Sequence, residues 1–318
     1  MAAAKTKKKK PVRKNKKKQR SWKVLVAAGV FCFLLGGLVV FLALKHGNES
    51  IPPEYAEVAG NGPPIHYEEP VAPTETVIIE KEVKKEQPLP ERKESTVTKE
   101  LPQVAIVIDD MGYNRETCDA LLALDLNLSF AFLPSGPYTK EQAARAKRLG
   151  RDVLLHFPME ATNPKWHPDG NTVTIDMDRA AIGRIFRANM AAVPQAIGIN
   201  NHMGSRFTQN TRAMQDFMSL VRERDLFFLD SRTSRNSVGE YLAEKMGVRT
   251  ARRNVFLDNV QETQAIITQL HKLLDLAERN GRAIAIGHPH PETLRALEKS
   301  RREIGRRAKL LGVGGLVR

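Results

Sequence analysis

Residues 104–114 read VAIVIDDMGYN, and this stretch decides the fold. The apolar run 104–108 is typical of a strand that is buried on both faces, as in a parallel sheet. Asp109 and Asp110 follow at the point where that strand would leave the core. Two adjacent carboxylates repel each other, and a divalent cation relieves that repulsion. The alternative is that both carboxylates are solvated and only cap the next helix.

Six further apolar runs of strand length follow, separated by amphipathic segments of helical character. A helix is predicted over 262–280, with Gly281 as its C-terminal cap. Strands that alternate with helices predict parallel β-α units, arranged either as an open doubly wound sheet or as a closed barrel. Both arrangements place functional residues at the carboxyl ends of the strands. The seven predicted strands are 104–108, 128–132, 153–155, 196–199, 226–229, 248–251 and 283–286.

The N-terminal region predicts a membrane anchor. Residues 1–23 hold twelve Lys or Arg and no acidic residue, which leaves +2 of the formal charge of +14 for the remainder. Residues 24–44 are uncharged, and their length is close to the ~20 residues that cross a bilayer as a helix. The positive-inside rule then predicts a cytoplasmic basic tail and a single pass through the inner (cytoplasmic) membrane, with a periplasmic C-terminal domain.

A cleaved signal peptide is the alternative, although 24–44 is longer than the usual h-region of about 7–15 residues. Because the basic residues adjoin this apolar span, we expect the membrane and no nucleic acid as their partner. Residues 45–102 are rich in Pro, Glu, Lys and Thr with few large apolar side chains, which predicts a disordered linker. The folded domain is then 103–318.

The domain has to be stabilised by its core. The chain contains two cysteines, Cys32 within the predicted span and Cys118 in the domain. No intramolecular disulfide can form in the exported domain, and a domain of this length can bury a sufficient core without one.

Imidazole and carboxylate groups collect at the predicted strand ends. His156, His202, His288 and His290 come at or just after such ends, and Asp230 follows another. Carboxylate and imidazole ligands without thiolate suit a catalytic zinc or a similar first-row metal with an open position for water. An acid-base pair without metal is the alternative, but it would leave the two adjacent aspartates without a counter-charge.

Two further polar residues lie in the segment 200–208, NNHMGSRFT, and are candidates for substrate contact. Asn201 stands beside His202. Arg206 could hold an anionic group or a developing oxyanion; alternatively, it forms a salt bridge with Asp230 or another neighbour.

Five segments resemble, in this order, the divergent polysaccharide deacetylases. The resemblance covers about 103–317 and implies a distorted seven-stranded (β/α) barrel. It also implies a divalent metal, with zinc expected, and an N-acetylated envelope polysaccharide or peptidoglycan as substrate. The segments are VAIVIDDMGYN, LLHFPMEA, GINNHMGSRFT, FFLDSRTS and AIGHPHPETL.

The resemblance implies roles for the acidic pair and its partners. In the broader deacetylases the first Asp of such a pair is the base and the second binds metal, which implies Asp109 as base and Asp110 as ligand. His156 matches the first of two ligand histidines spaced four residues apart, and Glu160 stands where the second would be. His202 is therefore expected as the third ligand, ahead of Glu160.

The family also has a late histidine that protonates the leaving amine. His288 is expected in this role, with His290 beside it. The expected activity is metal-dependent removal of N-acetyl groups. Two alternatives remain: a domain that binds envelope glycan or a cell-wall protein without turnover, and a metal-dependent phosphoesterase, which the contiguous acidic pair disfavours.

Overall fold

The computed structural model describes residues 100–166 and 170–318. The predicted basic tail, the predicted anchor and nearly all of the predicted linker lie outside these residues. Within the described part, no helix is both long enough and apolar enough to cross a bilayer.

The described residues contain nine strands, all paired in parallel in one sheet. Their order is β6-β5-β4-β3-β2-β1-β8-β7, and β9 pairs with β1. All seven predicted strands are present, whereas the two-residue strands β7 and β9 were not predicted. The strands are β1 (Gln103–Met111), β2 (Ser129–Phe132), β3 (Val153–Met159), β4 (Gly198–Met203), β5 (Phe227–Asp230), β6 (Thr250–Arg252), β7 (Val255–Phe256), β8 (Arg282–Gly287) and β9 (Lys309–Leu310).

The sheet curls until its two edges approach each other. β6 pairs with β5 at one edge and β7 pairs with β8 at the other, yet β6 ends at Arg252 and β7 begins at Val255. Three peptide steps span at most about 11 Å, so the two edges lie close together. Arg253 N donates to Asp230 O at 3.0 Å, and Asn254 N donates to Ile284 O at 2.8 Å. The predicted parallel α/β class is confirmed, but the sheet is a curled half-barrel of nine strands with β6 and β7 at its edges, and not the seven-stranded barrel that the resemblance implies.

Helices cover the outer face of the sheet. Val104, Ile106 and Ile108 of β1 share one apolar cluster with helix residues such as Cys118, which is a buried free thiol. The predicted helix 262–280 is present as α6 and ends at Gly281, which has a left-handed φ of 79°. The helices are α1 (Arg115–Ala123), α2 (Thr139–Arg148), α3 (Arg179–Ala192), α4 (Thr211–Glu223), α5 (Gly239–Lys245), α6 (Thr263–Asn280) and α7 (Pro291–Arg307).

The inner face of the sheet carries a second, smaller apolar cluster. Because side chains alternate along a strand, Ala105 and Val107 face this interior while their neighbours face the helices. Among the described residues, the buried members of the inner cluster come from the strands and, for Val313 and Leu316, from the C-terminal segment 311–318, and none comes from an α-helix. Its buried members are Ala105, Val107, Ala131, Leu154, Phe227, Leu229, Ile284, Ile286, Val313 and Leu316.

The C-terminal segment closes the amino end of this interior. Val313 N donates to Ser129 Oγ at 2.9 Å, and Gly314 N donates to Asp152 Oδ2 at 2.8 Å. Arg318 N donates to Thr250 O at 3.1 Å. Ser129, Asp152 and Thr250 stand at or just before the starts of β2, β3 and β6. The polar interior positions are therefore those at the carboxyl ends of the strands.

Candidate active site

A strained backbone brings both members of the acidic pair into the site. Asp110 has a φ of 53°, at an irregularity in the pairing of β1 with β2 between Ile108 and Met111. A left-handed conformation is unfavourable for a non-glycine residue, and such strain is found preferentially at functional sites. Adjacent side chains of a regular strand face opposite sides. Here the alternation is broken, and both Asp109 and Asp110 approach His156.

Three ligand-type atoms converge beside Asp110. Asp110 Oδ1 lies 3.2 Å from His156 Nε2 and 3.1 Å from His202 Nδ1, and the two nitrogens are 3.1 Å apart. Ligand atoms of a tetrahedral zinc with bonds of about 2.0–2.1 Å lie about 3.3–3.4 Å from one another. The triangle therefore has the size of a three-ligand metal site. Its residues come from the adjacent strands β3 and β4 and from β1, which β2 separates from β3.

Asn200 determines which nitrogen of His156 faces this triangle. Its amide nitrogen donates to both Asp109 oxygens, at 2.8 and 2.9 Å, and to Ser231 Oγ at 3.2 Å. The amide oxygen of Asn200 then faces His156 Nδ1 at 3.0 Å, and because that oxygen only accepts, Nδ1 carries a proton. In neutral His156 the Nε2 lone pair is directed toward Asp110 Oδ1, which is the arrangement of a metal-ligating imidazole.

The environment of Asp110 also fits a cation. Its Oδ1 is buried and accepts no hydrogen bond of good geometry, although the nitrogens of His156 and His202 are close to it. Burial alone would raise the pKa of Asp110, but His202 and His156 outweigh it and hold the pKa well below its usual range. A buried, ionised oxygen without a well-aligned donor is expensive, and a divalent cation at this point would compensate for it.

Asp109 is chemically different from its neighbour. Burial raises its pKa, and His156, His288 and the hydrogen bonds from Asn200 only partly oppose this shift. A raised pKa makes the ionised carboxylate a better proton acceptor. The two adjacent aspartates are therefore separated by environment: one pKa is lowered and the other is raised.

His288, which directly follows β8, also approaches Asp110. Its Nε2 lies 3.8 Å from Asp110 Oδ2, and its Nδ1 lies 2.9 Å from Asp258 Oδ1. Asp258 Oδ2 also accepts from His288 N at 2.5 Å and from Thr293 Oγ1 at 2.8 Å. Burial would lower the pKa of His288, but the carboxylates of Asp258, Asp110 and Asp109 outweigh it and raise the pKa to about 9. His288 can therefore carry a second proton at neutral pH.

Glu160 and Arg206 contact each other. Arg206 Nη1 donates to Glu160 Oε1 at 2.8 Å, and Ile175 N donates to Glu160 Oε2 at 2.7 Å. The carboxylate of Glu160 therefore stabilises the loop after β3, and the third atom of the triangle comes from His202 instead. For Arg206, the structure shows the salt bridge that the sequence left open, with Glu160 as the partner.

Asn201 and Asp230 have structural partners. Asn201 accepts from Ser231 N at 2.9 Å and donates to Met203 O at 2.7 Å, so its amide joins the ends of β4 and β5. Asp230 accepts from Arg232 N at 2.8 Å and from Ser237 Oγ at 2.6 Å. Neither residue belongs to the group that converges on Asp110. His290 lies at the rim, with its ring centroid 6.1 Å from that of His288.

Asp258 and the hydrogen bonds of Asn200 were missed from the sequence. Asp258 follows β7, which at two residues is too short to show a periodic pattern. A signal was nevertheless available: VFLD at 255–258 repeats the pattern of FFLD at 227–230, where an apolar run also ends in aspartate. Asn200 was visible at a strand end, but its contact with Asp109 depends on the arrangement of non-consecutive strands.

The fold and this site define a class: a curled parallel α/β domain with one carboxylate and two imidazoles at the carboxyl ends of its strands. The chain belongs to the divergent polysaccharide deacetylase family, whose sequence model matches residues 106–317. The predicted family resemblance is thus confirmed.

Two relatives share much of the domain. The uncharacterized protein YibQ of Escherichia coli K12 is 43% identical over 197 residues, which are 62% of this chain and 61% of that protein. An uncharacterized protein of Haemophilus influenzae is 37% identical over 216 residues, which are 68% of this chain and 77% of that protein. The match therefore spans less than two thirds of the Escherichia coli relative.

Two solved structures resemble the domain to different degrees. The uncharacterized protein ATU2773 from Agrobacterium tumefaciens C58 has a TM-score of 0.66 at 27% identity, covering 71% of this chain and 92% of that one. The catalytic domain of a peptidoglycan N-acetylglucosamine deacetylase from Eubacterium rectale has a TM-score of 0.41 at 15% identity, covering 69% and 91%. The second likeness is too distant to carry an argument about activity.

Proposed function

We propose that the domain is a metal-dependent hydrolase that removes acetyl groups from an N-acetylated glycan of the cell envelope. The observation that carries the proposal is the triangle of Asp110 Oδ1, His156 Nε2 and His202 Nδ1, with sides of 3.1–3.2 Å. Asp109 and His288 flank it with raised pKa values, which suit a base and an acid in one reaction.

Asp110, His156 and His202 would hold the divalent metal, and zinc suits this donor set. When bound, such a cation supplies Lewis-acid polarisation of the acetyl carbonyl and activation of water. Asp109 accepts the proton of the water whose oxygen bonds to the acetyl carbon. The C–N bond breaks, and His288 gives its Nε2 proton to the departing nitrogen. The products are acetate and a free amine.

The cellular setting is part of the proposal. The N-terminal region would anchor the protein in the inner membrane, and the linker would let the domain reach envelope polysaccharide or peptidoglycan on the far side. The support is compositional: a basic tail, an uncharged span of helical length and a polar linker precede the domain.

The test compares metal content and acetate release in three proteins. Wild type should bind a divalent metal and release acetate from peptidoglycan or chitin oligomers. The double variant Asp110→Ala, His156→Ala should lose both properties together. The control Asp275→Ala, His271→Ala removes the same residue types from α6, where His271 pairs with Glu303 and Asp275 with Arg307, and should keep both. Full metal retention in the first double variant would show that the metal site is assigned to the wrong residues.

The same experiment separates the rival proposal, a domain that binds glycan or a cell-wall protein without turnover. One observation supports this rival: Glu160 stands where the broader family has its second histidine, and it forms a salt bridge with Arg206. Saturable binding to isolated glycan, with no acetate released under any divalent metal, would favour it. Release of phosphate from a phosphoester, without acetate, would favour a phosphoesterase.

A further inference from the structure

A second group of residues that could bind a metal ion includes His288 itself. One ligand atom each from Asp258, His288 and His290 lies within 4.8 Å of the other two. Asp258 and His288 are buried and already touch, with 2.9 Å between Oδ1 and Nδ1. This group shares no residue with the triangle of Asp110, His156 and His202, and it uses the nitrogen of His288 that faces away from Asp110.

The backbone holds the two imidazoles on one side. His290 N donates to His288 O at 2.8 Å across Pro289, so the segment His288-Pro289-His290 is a tight three-residue turn. The two ring centroids are 6.1 Å apart. The ligand atom of His290 lies within 4.8 Å of the other two and would have to come to the separation of about 3.3–3.4 Å that ligand atoms of a tetrahedral zinc have. The ring of His290 also contacts Gln261, whose Nε2 lies 3.2 Å from His290 Nε2, so metal binding would replace this hydrogen bond at the exposed rim.

We propose that Asp258, His288 and His290 form a second divalent-metal site whose occupation inhibits the enzyme. Borderline-soft ions such as zinc suit one carboxylate and two imidazoles. Binding replaces the proton on His288 Nδ1, which leaves to solvent, and Asp258 Oδ1 changes from hydrogen-bond acceptor to ligand. The inhibitory consequence rests on the proposed function. Metal-bound His288 keeps its Nε2 proton, but giving that proton to the leaving amine would leave an imidazolate, so His288 is a far weaker acid than the imidazolium that the reaction uses.

The experiment measures zinc stoichiometry by equilibrium dialysis of the whole protein, alongside acetate release. Wild type should bind one tight equivalent and, as zinc rises, a second, weaker one. His290→Gln should weaken the second equivalent at least about tenfold, which is the low end for loss of a supporting metal contact. The first equivalent should be unaffected. His271→Gln, the same substitution on α6, should bind both equivalents as wild type does.

Two outcomes overturn the second site: one equivalent at every zinc concentration, or a second equivalent that His290→Gln and His271→Gln bind equally. Failure of the proposed function looks different. If two equivalents bind with the expected dependence on His290 but no acetate is ever released, the second site stands and the deacetylase proposal fails. If acetate release persists when the second equivalent is bound, the site stands but its inhibitory role is wrong.

Discussion

The two ends of the sheet interior are built from the same strands but differ in the polarity of their side chains. At the amino end, apolar side chains such as Leu154 and Phe227 pack against Val313 and Leu316 of the C-terminal segment. At the carboxyl end, the same strands carry ionisable groups that hydrogen bonds and opposite charges hold in place. β3 shows the transition within three residues, from Leu154 in the inner cluster to His156 in the site.

The amino end of the strands therefore contributes mainly to the stability of the fold, and the carboxyl end carries the reactive groups. Apolar burial at the amino end is favourable without any ligand. The carboxyl end is costly in isolation, because it combines a left-handed Asp110 with adjacent buried carboxylates. We therefore expect substitutions at the carboxyl end to change activity or metal binding, and substitutions at the amino end to change the free energy of unfolding.

The largest effect is expected for Asp109→Asn. The substitution keeps the shape but removes the proton acceptor, so turnover should fall by about 10²–10⁴-fold, the usual contribution of a general base. Metal content should remain, because Asp109 is outside the triangle. Steady-state acetate release and metal analysis check both points, with Asp119→Asn on α1 as control. Loss of metal in Asp109→Asn would instead assign it to the ligand set.

Phe227→Ala tests the opposite end. Phe227 is buried in the inner cluster, and truncation of a buried phenylalanine costs about 3–5 kcal/mol of unfolding free energy. Denaturant titration measures this loss, and metal binding per folded molecule should not change. Tyr241→Ala, which removes an aromatic residue that is 61% exposed, should stay within about 0.5 kcal/mol of wild type. Equal losses in the two variants would contradict the division.

Asp258→Asn should reduce turnover by about 10–100-fold, as is usual for a partner that orients a functional imidazole. The variant also changes the pH profile. Protonated His288 is the active form, so activity falls as pH rises through its pKa, which Asp258 and the other carboxylates raise to about 9. Without the Asp258 charge this pKa is lower, and the alkaline limb should move to lower pH. An unmoved limb would remove His288 from the acid role.

Arg206→Met should have the smallest effect. Arg206 is half exposed and contacts Glu160, and such pairs contribute about 1 kcal/mol or less. We expect a small loss of thermal stability, with KM and kcat within about twofold of wild type. A large rise in KM for glycan with unchanged kcat would restore the substrate contact that the sequence suggested.

The sequence by itself determined the parallel α/β class, all seven of the longer strands and the group of Asp109, Asp110, His156, His202 and His288. These features are local, because apolar runs mark strands and polar residues that end such runs must meet at one edge of a parallel sheet.

Only the tertiary structure decided the rest. β7 exists because the curled sheet offers β8 as a partner, and this placed Asp258 behind His288. The left-handed Asp110 brought both members of the acidic pair to His156, while partners distant in sequence engaged Glu160 and Asn201. The physical reason is that the role of a polar side chain at a strand end depends on which donors and charges the curled sheet brings within about 3 Å of it. Those distances cannot be read from the order of the residues.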